Sequence, residues 1–301
     1  ILKGAATPKG IHNLEKLANS MLRSGQSFDW INREQINAIA GSNYYQAGLL
    51  LPNNSLLNPV NLILSLAKQL PNNIKIHENS PALSLSRQGN YWKVETPEGT
   101  LKAPKIFLAN NAFAKCLGFT QEFSVTIYTY AAITEQLDAQ ERNSVLSRGQ
   151  WGILPAHRLG STFRSTEDGR ILVRGMYSYE EEAGFKVETK LLESLKKRFP
   201  NITSAQSIDQ CWGGTTSLTS NGAPLWGQLE RGLFTSIGCN GVGIIKSWML
   251  GKELAKLSNN LETLDIPNLF GTPHWMPSEP FRKMGFITLS QFEKNIAGAE
   301  K

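Results

Sequence analysis

The stretch that most restricts how this chain can fold is FTSIGCNGVGIIKSWMLGKELAKL, residues 234–257. A strand-like run stops at Gly238, crosses three glycines in six residues and passes directly into a helical pattern. Glycine at such a junction allows positive φ, or close approach of something bulky to the backbone. The helix that follows points its first free N–H groups, and the positive end of its dipole, at the same spot. An electron-rich or anionic group is the natural occupant. The pattern G-x-x-G-x-G is not the G-x-G-x-x-G of a dinucleotide-binding turn. It is not a P-loop either, because no Gly-Lys-Ser/Thr follows. A tight strand–helix junction with no ligand would read the same way, so the rest of the chain has to decide.

With 301 residues, 41% of them hydrophobic, the chain can bury a large core in two structural regions. The net charge of +6 comes from scattered residues whose densest cluster is Lys196-Lys197-Arg198. No basic stripe is interleaved with aromatics, so no nucleic-acid partner is expected. Cys116, Cys211 and Cys239 are far apart and show neither a disulfide framework nor zinc spacing. This predicts no metal site, a reducing compartment and a cytoplasmic location. No apolar run approaches the ~20 residues of a membrane span, and no signal peptide is read. The opening Ile1-Leu2-Lys3-Gly4 has no initiator Met and reads as the middle of a strand. The N-terminal part of a longer protein is therefore expected to lie outside this sequence.

Leu14, Leu17, Ala18, Met21 and Leu22 fall at helical spacing and predict a helix within residues 8–25. A short helix follows in INREQINAIAG, closed by Gly41. Residues 44–59 read as strand and turn, and VNLILSLAKQLP (60–71) as an amphipathic helix stopped by Pro71. IKIHEN (74–79) reads as a strand containing His77. A meander with turns at 87–90 and 97–99 comes next, then the apolar strand KIFLA. Residues 123–135 and 161–178 are strand-rich, and 187–200 is a helix stopped by Pro200. Two short strands around a turn fill 222–238. The tail from 265 is Pro-rich and then helical. These elements predict an α+β fold with an inserted sheet.

Six stretches, in order, resemble the FAD-dependent amine and amino-acid oxidoreductases of the D-amino-acid oxidase superfamily. They are YYQAGLLLPNNSLLNPVNL, SPALSL with VETPEGTLKAPKIFLANNAF, STFRSTEDGRILVRG, WGGTTSLTSNGAPLWG, GCNGVGIIKSWMLGKELA and PSEPFRKMGF. γ-Glutamylputrescine oxidase is the nearest in layout. The resemblance implies an N-terminally truncated, three-layer FAD/NAD(P)-binding-like domain at 1–118 and 206–301. A mainly antiparallel substrate domain is inserted at 119–205. The family's βαβ unit, which holds the ADP part of FAD, has no match here, so an N-terminal segment or a second chain is expected to supply it.

The resemblance also assigns residues. Gly238, Cys239, Asn240, Gly241, Val242, Gly243, Ile244 and Ile245 run along the flavin, and the helix behind them faces its N1/C2 edge. Ala82 matches a position at the adenine, and Ala109 and Asn110 match the strand end that approaches the cofactor. The cysteine to which sarcosine oxidase attaches flavin falls near Gly214, with Cys211 three residues earlier, so FAD is expected to be non-covalent. The lysine that meets substrate in sarcosine oxidase matches Ile245, one residue before Lys246. Asn221 stands where many relatives carry Asp. Arg164 falls near an arginine that clamps a substrate carboxylate, although a solvated strand arginine reads equally well. Tyr130 shares a strand face with Tyr128 and is read as a wall of the substrate site, with core packing as the competing reading. No residue is assigned as a catalytic base.

The implied activity is oxidation of an amine or amino-acid C–N bond to an imine. The alternative is a non-catalytic or partner-completed subunit. A tRNA-modifying branch of the superfamily is the further rival, permitted by the charge but supported by no basic patch.

Overall fold

The computed structural model describes residues 1–300. Its elements are β1 (Leu2–Ala5), α1 (Pro8–Arg23), β2 (Asp29–Asn32), α2 (Arg33–Ala40), β3 (Ala47–Leu50) and α3 (Pro59–Lys68). The meander β4 (Ser84–Gln88), β5 (Tyr91–Thr96) and β6 (Gly99–Ala103) follows, then β7 (Ile106–Leu108) and β8 (Val125–Ile133). Next come α4 (Ala139–Val145), β9 (Gly152–Pro155), β10 (Thr162–Ser165), β11 (Ile171–Ser178) and α5 (Gly184–Arg198). The chain continues through β12 (Gln210–Leu218), β13 (Leu225–Glu230), β14 (Leu233–Ile237), α6 (Gly243–Ser258), α7 (Ile266–Phe270) and α8 (Phe281–Ala297). The class is α+β, as expected.

Local chemistry sets most helix ends. Thr7 caps α1 by accepting from Gly10 N at 3.0 Å, with Pro8 pre-set in the first turn. Asn32 and Gln35 form a capping box on α2, which Gly41 closes at φ +68°. Asn58 caps α3 ahead of Pro59.

The chain divides into two compact units. The first is built from residues 1–57, 128–214 and 285–301. Its sheet runs β12-β8-β11-β10-β9-β1-β3-β2. β1 and β9 are parallel, and the other neighbours from β8 to β2 are antiparallel. Its main core joins Leu2, Ile36, Trp151, Ile153, Phe163 and Phe199 to many smaller neighbours. The expected boundaries at 1–118, 119–205 and 206–301 differ from this division. Residues 1–57 belong with the strands of 128–214, because β1 hydrogen-bonds to β9.

The second unit, residues 58–127 and 215–284, holds two small sheets. One is the antiparallel meander β4-β5-β6. The other is β13-β14-β7, in which β14 and β7 are parallel. Its buried cluster is Trp92, Leu108 and Leu233, flanked by Leu85, Ile106, Leu117, Phe119 and Leu229. Apolar side chains of α3 stay open, among them Val60, Ile63, Leu64 and Leu66, and no α3 residue is buried. Ile74–Asn79, expected as a strand, is irregular, and Ile74 and Ile76 are exposed. Alternation alone does not make a strand; the run needs a partner with which to form a ladder. His77 is accordingly exposed in irregular structure.

Candidate functional site

All the residues expected to meet a flavin cofactor fall within the second unit. The Gly-rich turn joins β14 to α6. Gly238 and Gly241 adopt φ of +80° and +77°, the left-handed region that favours glycine. Gly243 has a different task. A Cβ there would lie 3.3 Å from Cys239 Cβ, so the residue is small because the turn folds tightly on itself. No side chain caps α6, and its first turn carries no acidic residue. Val242, Ile244 and Ile245 are exposed. The positive end of the helix is thus open to an electron-rich group.

Two asparagines in left-handed conformation hold this turn, at φ +53° for Asn240 and +46° for Asn111. Asn240 Oδ1 accepts from Thr219 N at 2.9 Å. Its Nδ2 donates to Gly238 O at 2.7 Å and Gly222 O at 3.0 Å. The Asn240 side chain is therefore spent on the turn itself. Asn111 begins a 3-10 turn, Asn111–Leu117, just past β7. Its Oδ1 accepts from Gly238 N at 3.3 Å and Cys239 N at 3.4 Å, and its Nδ2 donates to Cys239 Sγ at 3.4 Å.

Thr216 Oγ1 lies 3.1 Å from the same sulfur. Burial pushes the Cys239 thiol up. Hydrogen bonds from Thr216, the Gly241 backbone, Asn111 and the Ser217 backbone outweigh that, and leave the thiol below its ordinary range. Sequence reasoning gave no role to Thr216 or Thr219, and took Asn111 only as one of the small residues at a strand end. The one signal for Asn111 was its type, since asparagine tolerates left-handed backbone where a strand ends.

A cavity of about 400 Å³ adjoins β7, lined by Ala82, Leu85, Ile106, Ala109, Asn110 and Leu117 among others. Ala82, Ala109 and Asn110 thus meet at one opening although 27 residues separate the first two in sequence. Lys246 is turned toward the 221–222 loop and α7. Its Nζ donates to Gly222 O at 3.3 Å and lies 5.5 Å from the Phe270 ring centroid. Asn221 is engaged locally, with Nδ2 donating to Thr272 O at 2.7 Å.

The two substrate candidates lie in the first unit. Arg164 on β10 is half-buried and donates from Nη1 to Leu57 O at 3.1 Å. Its buried Nε has no hydrogen-bond partner, unlike the donors of a freely solvated arginine. For Tyr130 the structure shows core packing. It is buried in the main core, and its hydroxyl accepts from Glu182 N at 2.6 Å and lies 3.2 Å from Ser178 Oγ. Tyr128 packs against that core, partly buried. Arg170 closes its hairpin, paired with Asp168 and with Asp209. Arg174 bonds to the Tyr177 hydroxyl.

The family model described as FAD dependent oxidoreductase matches residues 2–257. Among curated proteins, a probable oxidoreductase OrdL of Rhizobium meliloti is 23% identical over 267 residues, covering 87% of this chain and 61% of its own length. γ-Glutamylputrescine oxidoreductase of Escherichia coli is 24% identical over 257 residues, covering 84% and 60%. The chain therefore spans about 60% of the length of the curated relatives it matches. Among solved structures, glycine oxidase from Geobacillus kaustophilus superposes with a TM-score of 0.76 at 18% identity, covering 91% of this chain and 74% of that one. L-Proline dehydrogenase from P. horikoshii gives 0.71 at 16% identity, covering 88% and 74%. At these identities the superpositions speak to the fold. Among the described residues, no helix is long and apolar enough to cross a membrane.

The residues present fit FAD: an uncapped helix start behind a glycine-rich turn suits the flavin, and a separate cavity is reached by Ala82, Ala109 and Asn110. The sequence holds no G-x-G-x-x-G for the pyrophosphate.

Proposed function

The chain belongs to the FAD-dependent oxidoreductase family, and within it, we propose, it takes part in oxidising the C–N bond of an amine or amino acid to an imine. One observation carries this reading. Residues expected at FAD from three separate stretches (82, 109–110 and 238–245) fall in one unit, the last of them at an open, uncapped helix start. FAD, when bound, supplies the hydride acceptor for such an oxidation. In this reading Gly238–Ile245 run along the ring and the α6 N–H groups face its electron-rich edge. Ala82 meets the adenine through its backbone, and Ala109 and Asn110 end the strand that approaches the cofactor. Binding is non-covalent. Arg164, with Nε buried and unpartnered, is the candidate clamp for a substrate carboxylate. The three free cysteines suit a reducing, cytoplasmic setting.

A second reading concerns completeness, and a specific observation favours it. β7 is an edge strand of β13-β14-β7, and the open apolar residues of α3, with Ile74, Ile76 and Phe107, belong to the same unit. Parallel strands are ordinarily covered on both faces. In this reading a dinucleotide-binding segment, on an adjoining stretch of chain or on a partner, completes the site.

The test is the visible absorption of the purified chain after FAD is added and the mixture desalted. Repeating it with a dinucleotide-binding segment supplied separates the two readings. Retained flavin that bleaches anaerobically with amines or amino acids is the expected result. Flavin lost under both conditions would overturn the proposal. With a working preparation, Arg164→Lys should raise KM for carboxylate-bearing substrates about tenfold or more while leaving kcat nearly unchanged, because a bidentate charged pair is lost.

A further inference from the structure

We propose that Asn111 is the positioning residue of the Gly238–Gly243 turn, a side-chain extension of the β7–β14 ladder that fixes where the turn stands. The role toward flavin rests on the reading above; the clamp itself does not.

β7 and β14 pair in parallel from Ile106↔Leu233 to Leu108↔Thr235, and Thr235 Oγ1 donates to Leu108 O at 3.2 Å. Beyond that point the two chains part. β14 runs on to Ile237, while the chain after β7 turns into the 3-10 turn at Asn111. The N–H groups of Gly238 and Cys239 would be left without a backbone carbonyl on this side. Asn111 Oδ1 stands in for that carbonyl and accepts from both, at 3.3 and 3.4 Å. The same carboxamide turns its Nδ2 to Cys239 Sγ at 3.4 Å. Acceptor and donor on one planar group define an orientation that neither Asp nor Leu can reproduce: Asp lacks the donor and Leu lacks both. Asn240 grips the turn from the β12 side through Thr219 N. The turn is therefore held on two flanks, and Asn111 is the grip on the β7 flank. Strands that part at their carboxyl ends form the crevice in which α/β sheets take ligands, so this grip sits where position matters.

Asn111→Gly is the informative variant. Glycine accepts the +46° φ at least as well as asparagine, so the backbone keeps its path while the carboxamide is removed. In a Cys116→Ser, Cys211→Ser background, Cys239 reports on the clamp through its alkylation by iodoacetamide as a function of pH. Asn111→Gly is expected to move the midpoint of that profile upward and to slow alkylation at neutral pH by roughly three- to tenfold, through loss of a donor to the thiolate. Asn111→Asp, which places an anion beside the sulfur, should move it further. Amide hydrogen exchange of peptides covering 238–243 should quicken in Asn111→Gly at unchanged exchange of β5 and β13. An unchanged alkylation midpoint, or unchanged exchange in the turn, would overturn the positioning role. If both change and the wild-type chain retains no flavin under any condition, the clamp stands and the flavin reading falls. If wild-type and Asn111→Gly retain flavin with equal affinity and identical spectra, the role toward the cofactor is overturned.

Discussion

Gly222 and Gly238 share a φ of +80°, yet a side chain at each would meet different surroundings. A Cβ at Gly222 meets nothing within 4 Å, whereas one at Gly238 would lie 2.9 Å from Thr219 Cγ2. Gly222→Ala should therefore carry only the left-handed penalty, about 1–2 kcal/mol. Gly238→Ala should lose roughly 1–3 kcal/mol more, because Thr219 is itself tied to Asn240 and Ala223 O and has little freedom to move. Denaturant unfolding of the two variants side by side measures the difference. Equal losses would mean that the turn yields to the methyl group. At the same scale, the Asn240 carboxamide is occupied by Thr219, Gly222 and Gly238. Tyr130 is likewise spent, on Glu182 N and Ser178.

At the scale of elements, α8 is fastened by charge as well as by packing. Glu293 on α8 bonds Arg158 at 3.0 Å and lies 3.3 Å from Nε2 of the buried His157. Leu159 N donates to His157 Nδ1 at 3.2 Å, so the neutral ring carries its proton on Nε2, toward Glu293. Burial holds His157 below the ordinary histidine range. Glu293 and Glu300 oppose that shift, and Arg158 and Lys9 add to it. The unfolded chain therefore takes up a proton here before the folded one does. The stability drawn from this site is complete above about pH 6.5 and is lost as pH falls through the folded value. Thermal melts from pH 8 down to pH 5 should show the wild-type Tm falling on the acid side. His157→Gln, which cannot titrate, should lack that part of the slope, and parallel wild-type and variant profiles would remove His157 as the cause.

The two units of the molecule are unequally self-sufficient. The first closes around an extended core that includes Leu2, Ile153, Phe163 and Phe199. The second buries Trp92, Leu108 and Leu233 and has no buried residue on α3. Ile63 and Leu66 are 59% and 48% exposed. Replacing both with glutamate should leave the unfolding free energy of this chain within about 0.5 kcal/mol per site, as for other surface positions. The same replacement should abolish flavin retention by the protein completed with a dinucleotide-binding segment. A large loss of stability in the chain alone would show that α3 is already covered. Retained flavin in the completed protein would show that the segment docks elsewhere.

What the sequence determined by itself was mostly short-range. The Thr7–Pro8 start, the Asn32/Gln35 box, the Gly41 stop, the Asn58–Pro59 start and the G-x-x-G-x-G junction act between residues a few positions apart. Their hydrogen bonds and backbone preferences therefore exist before any tertiary contact. The family, and with it the α+β class, was legible from six ordered stretches. Tertiary structure alone decided the rest. It seated β1 beside β9, across about 150 residues of chain, and so moved residues 1–57 out of the expected cofactor region. It denied 74–79 a ladder, buried Tyr130, and brought the Asn111 carboxamide to Gly238 and Cys239 across 127 and 128 residues. Such pairings depend on which distant backbone groups are left unpaired after the sheets form. No local pattern in the sequence carries that information.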